Sequence, residues 1–329
     1  MRQAPAGFGR LIVAAAIACV ISTAASTAAL AQAAVIKLKV GTLKQGSLTN
    51  VYVAKQVEIF KNNGLDVELI EFRNGNEAIS AQRGGHVDLI LTIPGTTMTA
   101  NERGFDLVLI SGSETAQASA PDTGSIVVRK DSAIKALKDL KGKTIAISGT
   151  HTQKTVMIQA LLKRAGVGAD DFKFIEMPYA SHVDALRGKQ IEVAASLDPW
   201  TTILRNSDFA QVLAYDYAES LPEQPIGGWY ARREYAGKNA EATKRFAKSM
   251  CDVADYLGAD KDRARKYIAE YTGLELALVK EVPVNKWTCK VDVKKWQTVA
   301  DMMFDGGELQ QKYDVEAWLA DSVRPNLVR

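Results

Sequence analysis

The chain has 329 residues, 47% of them hydrophobic and 24% charged, which is enough apolar material for two ordinary cores and too balanced for a disordered or fibrous chain. Lys plus Arg number 41 against 38 Asp plus Glu; removing Arg2 and Arg10, which lie in a segment argued below to be cleaved, leaves 39 against 38. A charge so near zero offers no electrostatic reason to hold a nucleic-acid backbone or an anionic bilayer, both of which call for clustered Lys and Arg.

At the amino terminus, Arg2 and Arg10 precede an apolar run from Leu11 to Ile21, and small residues then lead to Ala29-Leu30-Ala31 before Gln32. A basic start, a short apolar stretch and an A-x-A site predict a signal peptide over residues 1–31, cleaved near Ala31. The run is far shorter than the roughly 20 residues a membrane-spanning helix needs. The expected mature protein is exported, and it retains two cysteines, Cys251 and Cys289. In an oxidising compartment these are either one disulfide or two separate thiols; spacing alone does not choose.

From Val35 onward, short β-branched runs alternate with amphipathic stretches, the pattern of βαβ units and parallel sheets. Strands are predicted at 36–40, 67–72, 87–91 and 107–110, with helices at Asn50 to Lys61 and Asn76 to Arg83. Gly64 stands where a helix C-terminal turn needs positive φ. A polar stretch from Ser111 to Gly124 reads as a crossing into a second α/β unit. Its strands are predicted at 126–128, 144–147, 172–175 and 193–197, and its helix runs from Thr152 to Ala165. Leu221 to Gly228 reads as the return crossing. Beyond Tyr230 the pattern is wholly helical, with Phe246, Met250, Val253 and Leu257 on one stripe and further helices near 261–271 and 291–304.

Catalytic signatures are missing. Gly142-Lys143-Thr144 supplies the end of a phosphate loop, but Leu137 stands where its first glycine belongs. Neither GxGxxG, GxSxG nor HExxH occurs, and His86, His151 and His182 are too scattered to suggest a metal centre. No catalytic residue, cofactor or metal is therefore expected, and the chain reads as a binder instead of an enzyme.

In open α/β sheets, ligands sit beyond the carboxyl ends of strands, where helix N-termini present unpaired N–H groups. The loops at these positions are small and polar: Leu43 to Leu48, Asn74-Gly75-Asn76, Thr92 to Thr97, Ser148 to Thr152, and Asp198-Pro199-Trp200. Two such units facing each other would enclose a small polar or anionic solute. Plainer roles compete. Thr150 or Thr152 could simply cap the following helix, and Asp198 before Pro199 has the form of an N-cap. Trp200 and Trp229 lie off any apolar stripe and read equally as cleft walls or as packing; Trp287, Trp296 and Trp318 read as packing.

Several of these segments resemble one family. Ile36 to Gly41, "KNNGLDVE" from Lys61, Gly85 to Asp88, Asp131 with "LKDLKGKTIA" from Leu137, and Asp198-Pro199-Trp200 are similar to the periplasmic solute-binding proteins of nitrate, taurine and aliphatic-sulfonate ABC importers. The likeness covers residues 36–235. It implies an α/β, two-lobed type II periplasmic-binding-protein fold, the Venus flytrap, with a helical C-terminal segment. Residues 32–122 plus 226–329 would form lobe I and residues 123–225 lobe II. It further implies a monomer that delivers its solute to an inner-membrane permease and its ATPase. Carried over by position, the ligand contacts would be Gln45, Ser47 and Leu48, then Thr92, Pro94 and Gly95, then Thr150, His151 and Thr152. The loops reading adds Asn76, Asp198, Trp200 and Trp229. The family often has an aromatic residue before its Asp-Pro pair, whereas Leu197 stands there in this chain. Two other roles share the fold: a thiamine-pyrimidine-synthase-like enzyme, whose cysteine-rich iron motif has no counterpart here, and a periplasmic sensor subunit.

Overall fold

The computed structural model describes residues 34–43, 49–72 and 74–329. The expected signal segment lies outside them, as do Gln45, Ser47 and Leu48. The chain opens with β1 (Ile36–Leu43), α1 (Asn50–Gln56), α2 (Ile59–Asn62), β2 (Leu65–Phe72), α3 (Gly75–Arg83), β3 (Leu89–Thr92), α4 (Pro94–Glu102) and β4 (Leu107–Thr115). It continues through β5 (Gly124–Arg129), β6 (Thr144–Ile147), α5 (Gln153–Arg164), β7 (Lys173–Glu176), α6 (Tyr179–Arg187), β8 (Val193–Leu197), α7 (Trp200–Arg205), β9 (Ala210–Ala214) and α8 (Asp216–Ser220). It closes with β10 (Pro225–Arg232), α9 (Arg233–Lys238), α10 (Ala240–Gly258), α11 (Lys261–Thr272), α12 (Leu276–Glu281), β11 (Lys286–Trp287), β12 (Val291–Asp292), α13 (Val293–Asp305) and β13 (Leu327–Val328).

Two sheets carry the architecture. The first has six strands in the order β11-β4-β10-β3-β1-β2; the second has five, β7-β6-β8-β5-β9. Both are mixed, which corrects the expectation of parallel sheets. β10 runs antiparallel to both β3 and β4, and β5 runs antiparallel to β8 and β9. The reason is connectivity: β5 and β10 each enter from the other sheet, so neither is joined to its neighbours by the crossover that makes a parallel pair within one sheet.

Alternation along the second sheet sorts its side chains to two faces. Ile126, Val128, Ile145 and Val193 pack with Ile158, Leu161 and Leu162 of α5, while Val127, Ala146 and Ala194 pack with Ala185, Leu186 and Leu204 from α6 and α7. A larger cluster joins Ile90, Leu109 and Tyr230 of the first sheet to Trp296, Val299 and Met303 of α13, and it also includes Val156, Met157 and Tyr217 from around the second sheet. An apolar seam therefore joins the two sheets.

Several predicted boundaries shift. The helix expected over Asn50 to Lys61 is broken into α1 and α2, with Glu58 at φ 58° between them. Ser111 to Thr115, expected to start a crossing, continues β4 as buried strand, because Gly112 and Ser113 bond to the segment holding Thr288 and Cys289. Leu221 to Gly228, expected as a crossing, leads into β10 at Pro225 in the middle of the first sheet. The wholly helical C-terminal region also holds the short strands β11, β12 and β13.

The cysteine choice is resolved. Cys251 of α10 and Cys289 form a disulfide with Cα atoms 4.8 Å apart. It pins α10 to the segment that borders β4. With a sequence separation of 38 between the cysteines, the link should contribute about 3–4 kcal/mol by restricting the unfolded chain. The double replacement Cys251→Ser, Cys289→Ser should melt several degrees below the parent in calorimetry. Equal melting temperatures would show that the bond adds nothing to stability.

Candidate functional site

On the first sheet, the carboxyl end of β3 feeds directly into α4. Ile93 is extended, Pro94 occupies the first helical turn where its missing N–H costs nothing, and Gly95 follows. α3 begins next to it, with Asn74 Oδ1 accepting from the Glu77 N–H at 2.9 Å. A Cβ added to Gly75 would lie 2.6 Å from Thr92 Oγ1 and 3.5 Å from Thr96 Cγ2, so the two helix starts close on Thr92. Thr92 is buried, and its Oγ1 has no hydrogen-bond partner.

α5 supplies the facing edge from the second sheet. Thr152 caps it: its Oγ1 accepts from the Thr155 N–H at 3.3 Å, and its own N–H donates to Thr155 Oγ1 at 2.9 Å. Thr150 donates through its N–H and hydroxyl to Glu176 at 2.9 and 2.7 Å. His151 reaches across to Glu308, Nδ1 to Oε2 3.0 Å, from a left-handed backbone at φ 58°. Gln153 is buried against the start of α4, and its Oε1 accepts from the Gly95 N–H at 3.4 Å.

One residue further, Lys154 Nζ donates to both oxygens of Asp216 at 2.9 and 2.7 Å and stands 4.8 Å from the centre of the Tyr217 ring. Both charged side chains are almost wholly buried. Removing either partner would strand a charge in a dry site, a loss typically of about 3–5 kcal/mol. Gly124 makes the arrangement possible, since a Cβ there would meet Asp216 Oδ1 and Lys154 Nζ at 3.1 Å.

Asp122, in the first passage between the sheets, and Asp198, which follows β8 and donates its N–H to the Thr123 carbonyl, each keep one carboxyl oxygen, Oδ2, without a partner. Burial pushes both carboxyls up to about 6. Asp122 Oδ1 accepts from the Thr123 N–H at 2.7 Å, and Asp198 Oδ1 accepts from the Thr202 N–H at 2.8 Å. The N-cap of α7 is Pro199, one position later than its sequence suggested, yet the Asp198 carboxylate still accepts an N–H of the helix's first turn. Nearby, Asn285 donates to Glu114 at 3.2 Å.

The structure brings Thr92, Pro94, Gly95, Thr150, His151 and Thr152 to the facing ends of the two sheets. Asn76 is exposed, and its carbonyl accepts from Ser80. Trp200 is half-buried and stacks on Tyr179 at 6.2 Å. Trp229 is a correction: it is fully buried in β10 and packs edge-on to Phe246 of α10 at 5.1 Å, so it walls no opening. Sequence reasoning missed Gln153, Asp122, Asp216 and Gln224. The only available signal was the pair Gln153-Lys154, polar residues that interrupt the apolar run of α5 at its start. A 380 Å³ cavity lies elsewhere, between Glu102 and Asp106 on one side and Arg233 and Tyr313 on the other, and includes none of the expected residues.

The raised Asp122 carboxyl has a testable sign. Its contribution to stability is complete below its unfolded value near 3.8 and is lost as pH rises through about 6. His182, held down at about 4 by burial, acts in the opposite sense over part of that range, so variant and parent are compared at each pH. Asp122→Asn should gain on the parent by on the order of 2 kcal/mol between pH 4.5 and pH 8 in chemical denaturation. A pH-independent difference would show that the carboxyl is not shifted.

Comparisons with known proteins follow the same lines. A family model described as NMT1/THI5 like matches residues 45–264. A Brucella abortus protein named only as a candidate binding protein is 23% identical over 282 residues, covering 82% of this chain and 85% of its own. A Saccharomyces cerevisiae 4-amino-5-hydroxymethyl-2-methylpyrimidine phosphate synthase is 23% identical over 231 residues, covering 67% of this chain and 66% of its own. Among solved structures, the periplasmic aliphatic sulphonate binding protein of Escherichia coli superposes with a TM-score of 0.73 at 19% identity, covering 88% of this chain and 98% of its own.

Proposed function

Because the chain belongs to the NMT1/THI5-like family and has the periplasmic-binding-protein fold, we propose that it is the extracytoplasmic solute-binding protein of an ABC importer. It captures a small polar or anionic solute, of sulfonate, taurine or nitrate type, between lobe I (32–122 plus 226–329) and lobe II (123–225). It then passes the solute to a permease and its ATPase at the inner membrane. The observation that carries this reading is the meeting of helix beginnings from both sheets, α3 and α4 on one side and α5 on the other, around the Gly95–Gln153 hydrogen bond. Backbone N–H groups at helix starts favour a negative or acceptor-rich solute.

The solute would reach this place by bending of the two passages between the sheets, residues 116–123 and 221–224. The small polar side chains Thr92, Thr150 and Thr152, with the expected contacts Gln45, Ser47 and Leu48, would complete the shell. The likeness to the yeast synthase supports one competing reading, a thiamine-pyrimidine-synthase-like enzyme that makes a pyrimidine phosphate.

Protein purified from its own periplasm should carry a stoichiometric small molecule, identifiable by mass spectrometry of the denatured supernatant. The emptied protein should rebind that molecule with submicromolar affinity in calorimetry, and it should return it unchanged after prolonged incubation. A chemically altered molecule would favour the enzyme. Failure to bind any member of a panel of sulfonates, nitrate, carboxylates and pyrimidines would overturn the transport reading.

A further inference from the structure

Residues 281–289, between α12 and β12, lie against both passages that join the sheets. The segment leaves α12 extended at Val282, and Pro283 keeps it so, because the residue before a proline is pushed out of the helical region. It contains no glycine. Lys286 and Trp287 then run as β11 antiparallel to the end of β4, opposite Thr115 and Glu114. Thr288 donates its N–H to the Ser113 carbonyl at 3.0 Å, and the Cys289 carbonyl accepts from the Gly112 N–H at 3.2 Å. The disulfide to Cys251 fastens this end to α10.

The two passages are themselves side by side: the Ala116 N–H donates to the Gln224 carbonyl at 2.9 Å, and the Glu223 N–H donates to the Gln117 carbonyl at 3.1 Å. On the first passage, the Gln117 carboxamide donates to the Val284 carbonyl. Asn285 is buried there, its Nδ2 donating to Glu114 at 3.2 Å and its Oδ1 lying 3.5 Å from the Thr123 hydroxyl. On the second passage, Glu223 meets Lys286 Nζ at 3.6 Å and Lys295 Nζ at 3.0 Å. The far end of the segment is held from the second sheet's side. Arg205, which ends α7, donates to the Glu281 carbonyl at 2.9 Å, and Asn206 Nδ2 donates to Glu281 Oε2 at 3.2 Å. That carbonyl is among those a helix leaves unused at its C-terminus, so the grip takes nothing from α12.

We infer that residues 281–289 are a strap across the two passages, fixed covalently at Cys289 and gripped reversibly at Glu281, which limits how far the passages bend. Extended chain without glycine has little length to give. Movement of α7 away from the first sheet therefore either pulls on the strap, and through it on Gln117 and Glu223, or breaks the Arg205 and Asn206 contacts. The strap leaves fewer arrangements of the sheets open to the empty protein, so a solute gathered between them has less ordering to supply. It bears on the bending invoked above and is indifferent to which solute is held.

The test follows amide exchange of the passages, residues 116–123 and 221–224, in the whole mature protein without solute, each rate taken relative to β6 at the centre of the second sheet. Arg205→Ala with Asn206→Ala removes both donors at the reversible end. Exchange in the passages should then accelerate about fivefold, the ratio for about 1 kcal/mol of lost hydrogen bonding. Cys251→Ser with Cys289→Ser releases the fixed end and should accelerate the same residues. Combining the two cuts should give less than the product of their separate factors, since a strap freed at one end passes no tension to the other. If the serine variant does not fold, Pro283→Gly, which adds slack and keeps the disulfide, takes its place in the comparison. Unchanged passages in the Arg205 and Asn206 variant, acceleration shared equally by β6, or a combined effect equal to the product would each overturn the strap. None of these readouts needs a solute, so failure here is separable from failure of the transport reading.

Discussion

The first sheet cannot be completed until the chain has come back from the second. β10 lies between β3 and β4 and bonds to both, yet more than a hundred residues separate it from either partner. That one pairing fixes two passages between the sheets, brings Gln224 and Pro225 against α5, and sets the carboxyl ends of both sheets toward a common seam. Long-range pairing of this kind carries a large loop-closure cost, which the buried strand and its neighbours must repay. The repayment is visible in β10 itself, seven of whose eight residues are buried.

The seam combines two kinds of contact. Val156, Met157 and Tyr217 contribute apolar surface to the first sheet's cluster, and this part associates without directional demands. Around it stand groups whose hydrogen bonds are specific: Gln153 on Gly95, His151 on Glu308, and Asn206 with Arg205 on Glu281. The apolar part supplies adhesion and the polar part supplies register.

Much of the chain was legible from pattern alone. The stripe Phe246, Met250, Val253 and Leu257 became the buried face of α10, and the apolar face of Ile158, Leu161 and Leu162 became that of α5, because in both a 3.6-residue period decided burial. The failures share a cause. β4 continues through Ser111, Gly112 and Ser113, and β10 begins in Pro225-Ile226-Gly227-Gly228, stretches whose composition signals loop. Small residues are needed there because backbone from another element comes close; a Cβ on Gly112 would meet the Lys290 carbonyl at 2.6 Å. The site was legible as loop positions and less so as contacts. Thr152 is a recognisable cap, whereas the Lys154–Asp216 pair joins residues 62 apart and the burial of Trp229 depends on α10 covering it.

The placement of β10 also bears on how such a chain comes into being. A polypeptide made or threaded N-terminus first presents β3 and β4 long before residue 232 emerges, so an empty slot with two rows of unanswered backbone groups persists through the birth of the entire second sheet. The nascent molecule is consequently most vulnerable to mispairing in its middle life. A truncation anywhere before Pro225 would leave not a smaller version of the protein but one with a missing keystone.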